Sequence, residues 1–160
     1  METSLVALRN VPIFGGLSDE ALAALGERAR RVEVPCGSLF FREGDAGNTA
    51  FVLERGRVAI LKRGPRGDHV LGHLKAGDAF GEVSLLDLGL RSASVRAETE
   101  CAAIELTAAG ILRVARVSPS QLTLIYMNMG RELARRLRAA DDRLLGLAEP
   151  HGLDDPIGIV

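Results

Sequence analysis

The chain has no tryptophan, a single tyrosine and two cysteines, and Lys62 and Lys75 are its only lysines among 20 basic residues. Cys36 and Cys101 stand alone, without the spacing of a metal-ligand or redox pair, and fit a reducing cytoplasm, the expected location. The formal net charge of −1 argues against a general nucleic-acid binder, which carries a basic surplus. No run of 18 uncharged apolar residues exists, so no membrane span is expected. The opening METSLVALRN has an early Glu2 and no long apolar stretch, unlike a secretory signal. Histidines are three. His69 and His73, four apart, are expected on one face of a strand, too far apart for the close histidine pair of a cupin-type metal enzyme. No Gly-x-x-x-x-Gly-Lys-Ser/Thr run and no locally supported Ser/His/Asp or Cys/His set is present, so neither a catalytic residue nor a bound metal is expected.

What the chain does have is apolar residues (47%) and 18 glycines in 160 residues, enough for one domain with a core. Residues Ser4 to Asn10 predict a short helix. Ser18 predicts an N-cap for a second, with Asp19 and Glu20 in its first turn and Leu22, Leu25 and Ala29 on one face as far as about Arg30. From Arg31 to Leu106 short apolar runs alternate with glycines. Strands are expected at Val32–Val34, Ser38–Arg42, Thr49–Glu54, Arg57–Arg63, Asp68–Leu74 and Ser92–Leu106, the last split near Glu98 to Glu100. Many short strands with regular turns mean a sandwich or jelly-roll. Thr107 opens a helix to Val117. Ser118 predicts the cap of a long one, from Ser120 to about Leu147. Leu133, Leu137, Ala140, Leu144 and Leu147, extended back through Gly130, Tyr126 and Thr123, form a stripe suited to packing on another helix.

The stretch Phe80 to Val95, FGEVSLLDLGLRSASV, carries the chemistry. Arg91 offers a fixed fork of donors for phosphate oxygens. The turn after Gly81 is expected to open a short helix. Glu82 repels a phosphate but accepts from a sugar hydroxyl, and the small residues Ser92 and Ala93 let backbone N–H groups come close to an anion. Together these suit a sugar joined to a singly charged phosphate. The alternative is a structural ion pair between Glu82 and Arg91, worth little at a surface.

Phe80, Gly81, Glu82, Arg91, Ser92 and Ala93, at this spacing, resemble the phosphate-binding cassette of cyclic nucleotide-binding domains, found in catabolite activator proteins, protein kinase A regulatory subunits and cyclic nucleotide-gated channels. The resemblance runs from about Leu8 to Leu147. It implies a mainly β fold, a β-roll (double-stranded β-helix or jelly-roll) with N-terminal helices and a long C-terminal helix. It divides residues 1–147 into a helical segment, 1–30, the roll, 31–106, and helices, 107–147, with 148–160 as a tail. It assigns Arg91 to a cyclic phosphate and Glu82 to the ribose 2′-hydroxyl, with Gly81, Ser92 and Ala93 beside them. Ile60, Leu71, Leu74 and Val83 would touch base or ribose, though each could equally be plain core. The ligand implied is cAMP, with cGMP open because Ser92 serves either and Gly72 replaces a hydroxyl that reaches the purine in some relatives. No other cofactor is implied. GRELARRL, Gly130–Leu137, is similar to the central helix through which bacterial relatives dimerise, so a homodimer through 123–147 is expected. Where relatives cap the base with hydroxyls this chain reads Ala140-Asp141, leaving Arg138, Asp141 or Arg143 as possible caps. AEPHGLDDPIGIV after Leu147 does not predict the helices of a helix-turn-helix, so direct DNA binding is not expected. The expected function is a ligand-driven regulatory switch with an unnamed protein partner. The rivals are a vestigial fold that serves as a dimerisation module and a cupin-like metalloenzyme.

Overall fold

The computed structural model describes residues 2–146, and the 148–160 tail and Leu147 lie outside the described residues. Helix α1 spans Glu2–Arg9, a 3₁₀ turn follows at Pro12–Phe14, and α2 spans Asp19–Gly26. Ser18 caps α2 as expected, its hydroxyl accepting from the Ala21 N–H. The helix stops four residues short of the expected Arg30, because the chain from Arg30 is already paired as strand β1 (Arg30–Val34).

Seven further strands follow: β2 (Leu39–Phe41), β3 (Thr49–Arg55), β4 (Arg57–Gly64), β5 (Gly67–Lys75), β6 (Ala79–Phe80), β7 (Ser94–Ala97) and β8 (Cys101–Thr107). They form two four-stranded antiparallel sheets, ordered β1-β8-β3-β6 and β2-β7-β4-β5. Only β6 has no counterpart among the expected strands; two residues are too few to show a period of two. Their inner faces close on a core that includes Phe41, Phe51, Leu53, Ile60, Leu74, Phe80 and Val95. Four of the five phenylalanines meet there: Phe40 stands edge-on to Phe80 at 5.1 Å and to Phe51 at 5.4 Å, and Phe41 lies 6.0 Å from Phe51.

One expectation about the roll is overturned. In the β4–β5 ladder His69 pairs with Lys62 and His73 with Ala59, with an irregularity opposite Ile60 and Leu61 that leaves Leu71 as an extra residue in β5. A bulge residue reverses the alternation, so the two histidines lie on opposite faces, not one. His69 is exposed, whereas His73 Nε2 meets Glu98 Oε1 at 3.2 Å.

Between β6 and β7 runs the cassette, with a short helix α3 (Val83–Asp87). Helix α4 (Ala108–Val117) starts under a Thr107 cap, its hydroxyl accepting from the Gly110 N–H. Helix α5 spans Pro119–Leu144; Ser118 holds the expected N-cap position, before a proline suited to the first helical place, but its hydroxyl meets Ser120 Oγ and not a backbone N–H. The first half of α5 is bound to the N-terminal segment. Asn128 donates to the carbonyls of Ile13 and Gly15, Gln121 accepts from the Ser18 N–H, and Ile125 and Met129 are buried. The expected stripe looks outward: Leu137 is 51% and Leu144 84% exposed, Tyr126 is exposed as well, and a side chain at Gly130 would meet nothing. Among the described residues no helix is long and apolar enough to cross a membrane.

Candidate functional site

Glu82 and Arg91 do not pair with each other. Each is buried, 1% and 6% exposed, and each has a different set of partners. Gly81, at φ +80°, turns the chain between β6 and α3; a side chain there would also press on Arg91 Nη1 at 2.7 Å. That turn sends the Gly81 carbonyl toward Arg91 and the Glu82 carboxylate toward α5.

The Arg91 guanidinium is held by neutral acceptors. Nη1 donates to the Thr49 carbonyl (2.7 Å), the Gly81 carbonyl (3.0 Å) and the Ser84 hydroxyl (2.7 Å), while Nη2 donates to the Thr49 hydroxyl (2.8 Å). The Phe41 ring lies 4.0 Å from its central carbon, a cation–π contact. Nε has no partner. Burial pulls this guanidinium's pKa down, and Asp45, Glu105 and Glu82 counter that from a distance. A buried cation without a carboxylate in contact is unusual, and it is suited to an anion from outside.

Glu82 faces the other way. Its Oε1 accepts from Arg136 Nη1 at 2.6 Å, and Arg136, 4% exposed, also donates to Glu132 and to the Ala79 carbonyl. Burial raises the Glu82 carboxyl above its ordinary range, against the pull of Arg136. Glu132 is held below its range, first by Arg135 and then by Arg136, so it stays ionised beside the pair. Glu82 Oε2 is buried and accepts nothing. The site thus holds one buried acceptor atom, Glu82 Oε2, and one buried donor, Arg91 Nε, without partners.

Arg136 was not among the expected site residues. Its signal is a second stripe on α5, Leu122, Ile125, Met129, Glu132 and Arg136, which sits one residue before the outward stripe and ends in a charge. Charged members disguise such a stripe in a search for apolar spacing. The remaining expected residues fall into three groups. Ser92 and Ala93 follow Arg91, Ala93 buried in the core and the Ser92 carbonyl accepting from Lys62 at 2.6 Å. Ile60 and Leu74 are fully buried among core side chains, whereas Leu71 and Val83 are half-exposed. Of the possible caps, Arg138 and Asp141 are exposed and roughly 200° and 140° around the helix from Arg136, while Arg143 is half-buried and only about 20° off that face. Among the described residues no three His, Cys, Asp or Glu side chains converge as metal ligands.

Residues 31–118 match the family model described as the cyclic nucleotide-binding domain. The chain is 32% identical over 141 residues to the CRP-like cAMP-activated global transcriptional regulator of Mycobacterium tuberculosis, covering 88% of this chain and 61% of that protein. The structure of the Thermus thermophilus catabolite activator protein superposes with a TM-score of 0.73 at 34% identity, over 85% of this chain and 62% of that one. A cyclic nucleotide-binding domain from Methylobacillus flagellatus shares the fold, with a TM-score of 0.78 at 24% identity over 94% of this chain and 85% of that one. The chain therefore spans about 61% of the length of the curated regulators it matches. With its cassette, its two-sheet roll and its family match in agreement, the chain belongs to the cyclic nucleotide-binding domain family.

Proposed function

We propose that this domain is a regulatory sensor of cAMP, with cGMP as the second ligand, and that it works by moving helix α5 and not by catalysis. The observation that carries the reading is the pair of unmet groups, Glu82 Oε2 and Arg91 Nε, on two buried side chains of one cassette. A ribose 3′,5′-cyclic phosphate supplies the complement to each: an anion for Arg91 and a hydroxyl donor for Glu82. The cAMP-activated regulator of Mycobacterium tuberculosis and the cAMP-bound structures among the relatives support cAMP as the ligand class.

Glu82 links the ligand to α5. Its Oε1 holds Arg136 and its Oε2 takes the ribose hydroxyl, so ligand occupancy and helix position bear on one carboxylate. A ligand shifts that helix only by its different affinity for the two helix positions. Leu71 and Val83 form the half-exposed wall beside the ribose, and Arg143 is our choice of base cap among the three. Ile60 and Leu74 act as the floor that keeps the wall in place. The domain is taken to be residues 1–147, cytoplasmic, with a downstream protein partner that reads α5.

Calorimetric titration of nucleotide-stripped protein tests the reading: one saturable site per chain for cAMP, with 2′-deoxy-cAMP weaker by about tenfold, the effect of one hydrogen bond to a charged acceptor. Equal affinity for the two would remove Glu82 from the ribose, and no binding of cAMP or cGMP by folded protein would favour the vestigial scaffold.

The outward stripe on α5 supports a homodimer. A pair of such helices would cover Leu133, Leu137, Ala140 and Leu144, and Gly130 allows close approach. Leu137→Glu is expected to convert a dimer to a folded monomer with an unchanged melting profile at high dilution, read by sedimentation. A variant that stays dimeric would place the interface elsewhere.

A further inference from the structure

Thr49 opens β3, far from Arg91 in sequence, yet it touches that side chain twice. Its carbonyl accepts from Nη1 at 2.7 Å and its hydroxyl from Nη2 at 2.8 Å. One residue therefore spans the end of the guanidinium, where the two terminal nitrogens lie. Gly81 and Ser84 use Nη1 again, and Phe41 covers one face of the plane at 4.0 Å. What is left without a partner is Nε–H. Nε–H and an Nη2 hydrogen run parallel along the side of an arginine, a fork that fits two oxygens of one phosphate.

We infer that Thr49 is a positioning residue whose hydroxyl and carbonyl occupy the Nη1/Nη2 end of Arg91 and so aim its Nε/Nη2 edge at the phosphate. The inference rests on the reading of Arg91 as the phosphate ligand. A neutral hydroxyl is suited to the task. A carboxylate at this position would pair with the cation and compete with the phosphate, whereas a hydroxyl fixes direction and leaves the charge uncancelled. The β-branch of threonine adds stiffness, since its side chain has few rotamers on a strand. Thr49 itself does not touch the ligand; it acts through Arg91.

The test is cAMP titration of the full chain. Thr49→Val keeps the shape and the backbone carbonyl but removes the hydroxyl, and is expected to weaken cAMP by about tenfold, the loss of one hydrogen bond to a charged group. Thr49→Ser restores the hydroxyl and is expected to recover affinity to within about threefold of wild type. In an Arg91→Lys background, where no fork exists to aim, Thr49→Val is expected to change affinity by less than about twofold. Thr49→Ala serves if the valine variant does not fold, with the same tenfold expectation. Wild-type affinity in both hydroxyl-free variants, or a serine variant as weak as the valine one, would overturn the role while the phosphate assignment of Arg91 stands. A wild-type protein that binds no cyclic nucleotide overturns the site and this role with it.

Discussion

Arg91→Ala is expected to weaken cAMP binding by at least about 100-fold, because the one buried cation in the cassette is gone and the phosphate loses two charge-assisted hydrogen bonds. From the sequence the same change is expected to spare the fold. The structure adds a cost. The guanidinium satisfies the Thr49 and Gly81 carbonyls and the Ser84 hydroxyl and lies on Phe41. Its removal leaves the Gly81 carbonyl with the Ser84 hydroxyl as donor, takes a donor from the Thr49 carbonyl and the Ser84 hydroxyl, and opens a space under the cassette, at a cost of about 2 kcal/mol in stability. The two effects separate experimentally. Thermal melts report the stability loss, and calorimetry well below the melting range reports the affinity. Arg91→Lys is the second arm: it keeps the charge without the fork, so it should bind more weakly than wild type and more tightly than alanine. An alanine variant that is folded and binds like wild type would falsify the phosphate assignment.

The second large effect is on Arg136. Arg136→Met removes the partner of a buried carboxylate and is expected to destabilise the fold by about 3–5 kcal/mol near neutral pH. Its pH dependence identifies the cause. Burial already raises the Glu82 pKa, so the folded chain takes up this proton more readily than the unfolded chain does. Stability therefore falls as pH rises through the window above the ordinary carboxylate range, and the loss of Arg136 widens that window upward. The deficit of Arg136→Met should be largest on the alkaline side and shrink as pH falls and Glu82 takes up its proton. Denaturant titrations across this range measure it. Glu82→Gln in the same chain should recover much of the loss, because no buried charge remains to be paired. A deficit that is constant with pH, and not relieved by Glu82→Gln, would mean that Arg136 acts through packing alone.

Much of this was legible in the residues. The strands follow from glycine-bounded apolar runs, and α2 and α4 start at the hydroxyl caps that the sequence offers. The cassette is legible because its residues are close together: Gly81, Glu82 and Arg91 span eleven positions of one stretch. What was not legible depends on distance along the chain. Thr49 and Phe41 reach Arg91 from two other strands, and Arg136 reaches Glu82 from 54 positions away. No local pattern announces such a partner, and Arg136 in particular reads as one more solvated charge on a long helix. The bulge at Leu71 is a further case: alternation along β5 alone cannot reveal an extra residue that only the register with β4 defines, so the faces of His69 and His73 are reversed.

Tyr126 gives α5 one last property. It is the single tyrosine of a chain without tryptophan, and it lies exposed on the outward stripe, against the groove between α3 and α4. Phenylalanine emits too weakly to compete with it, so the near-ultraviolet fluorescence of the unlabelled protein comes from one ring on the one helix assigned to carry the signal. The domain thus contains its own optical reporter: quenching, anisotropy and ligand-induced changes in emission can be attributed to α5 without a dye, a tag or an engineered residue.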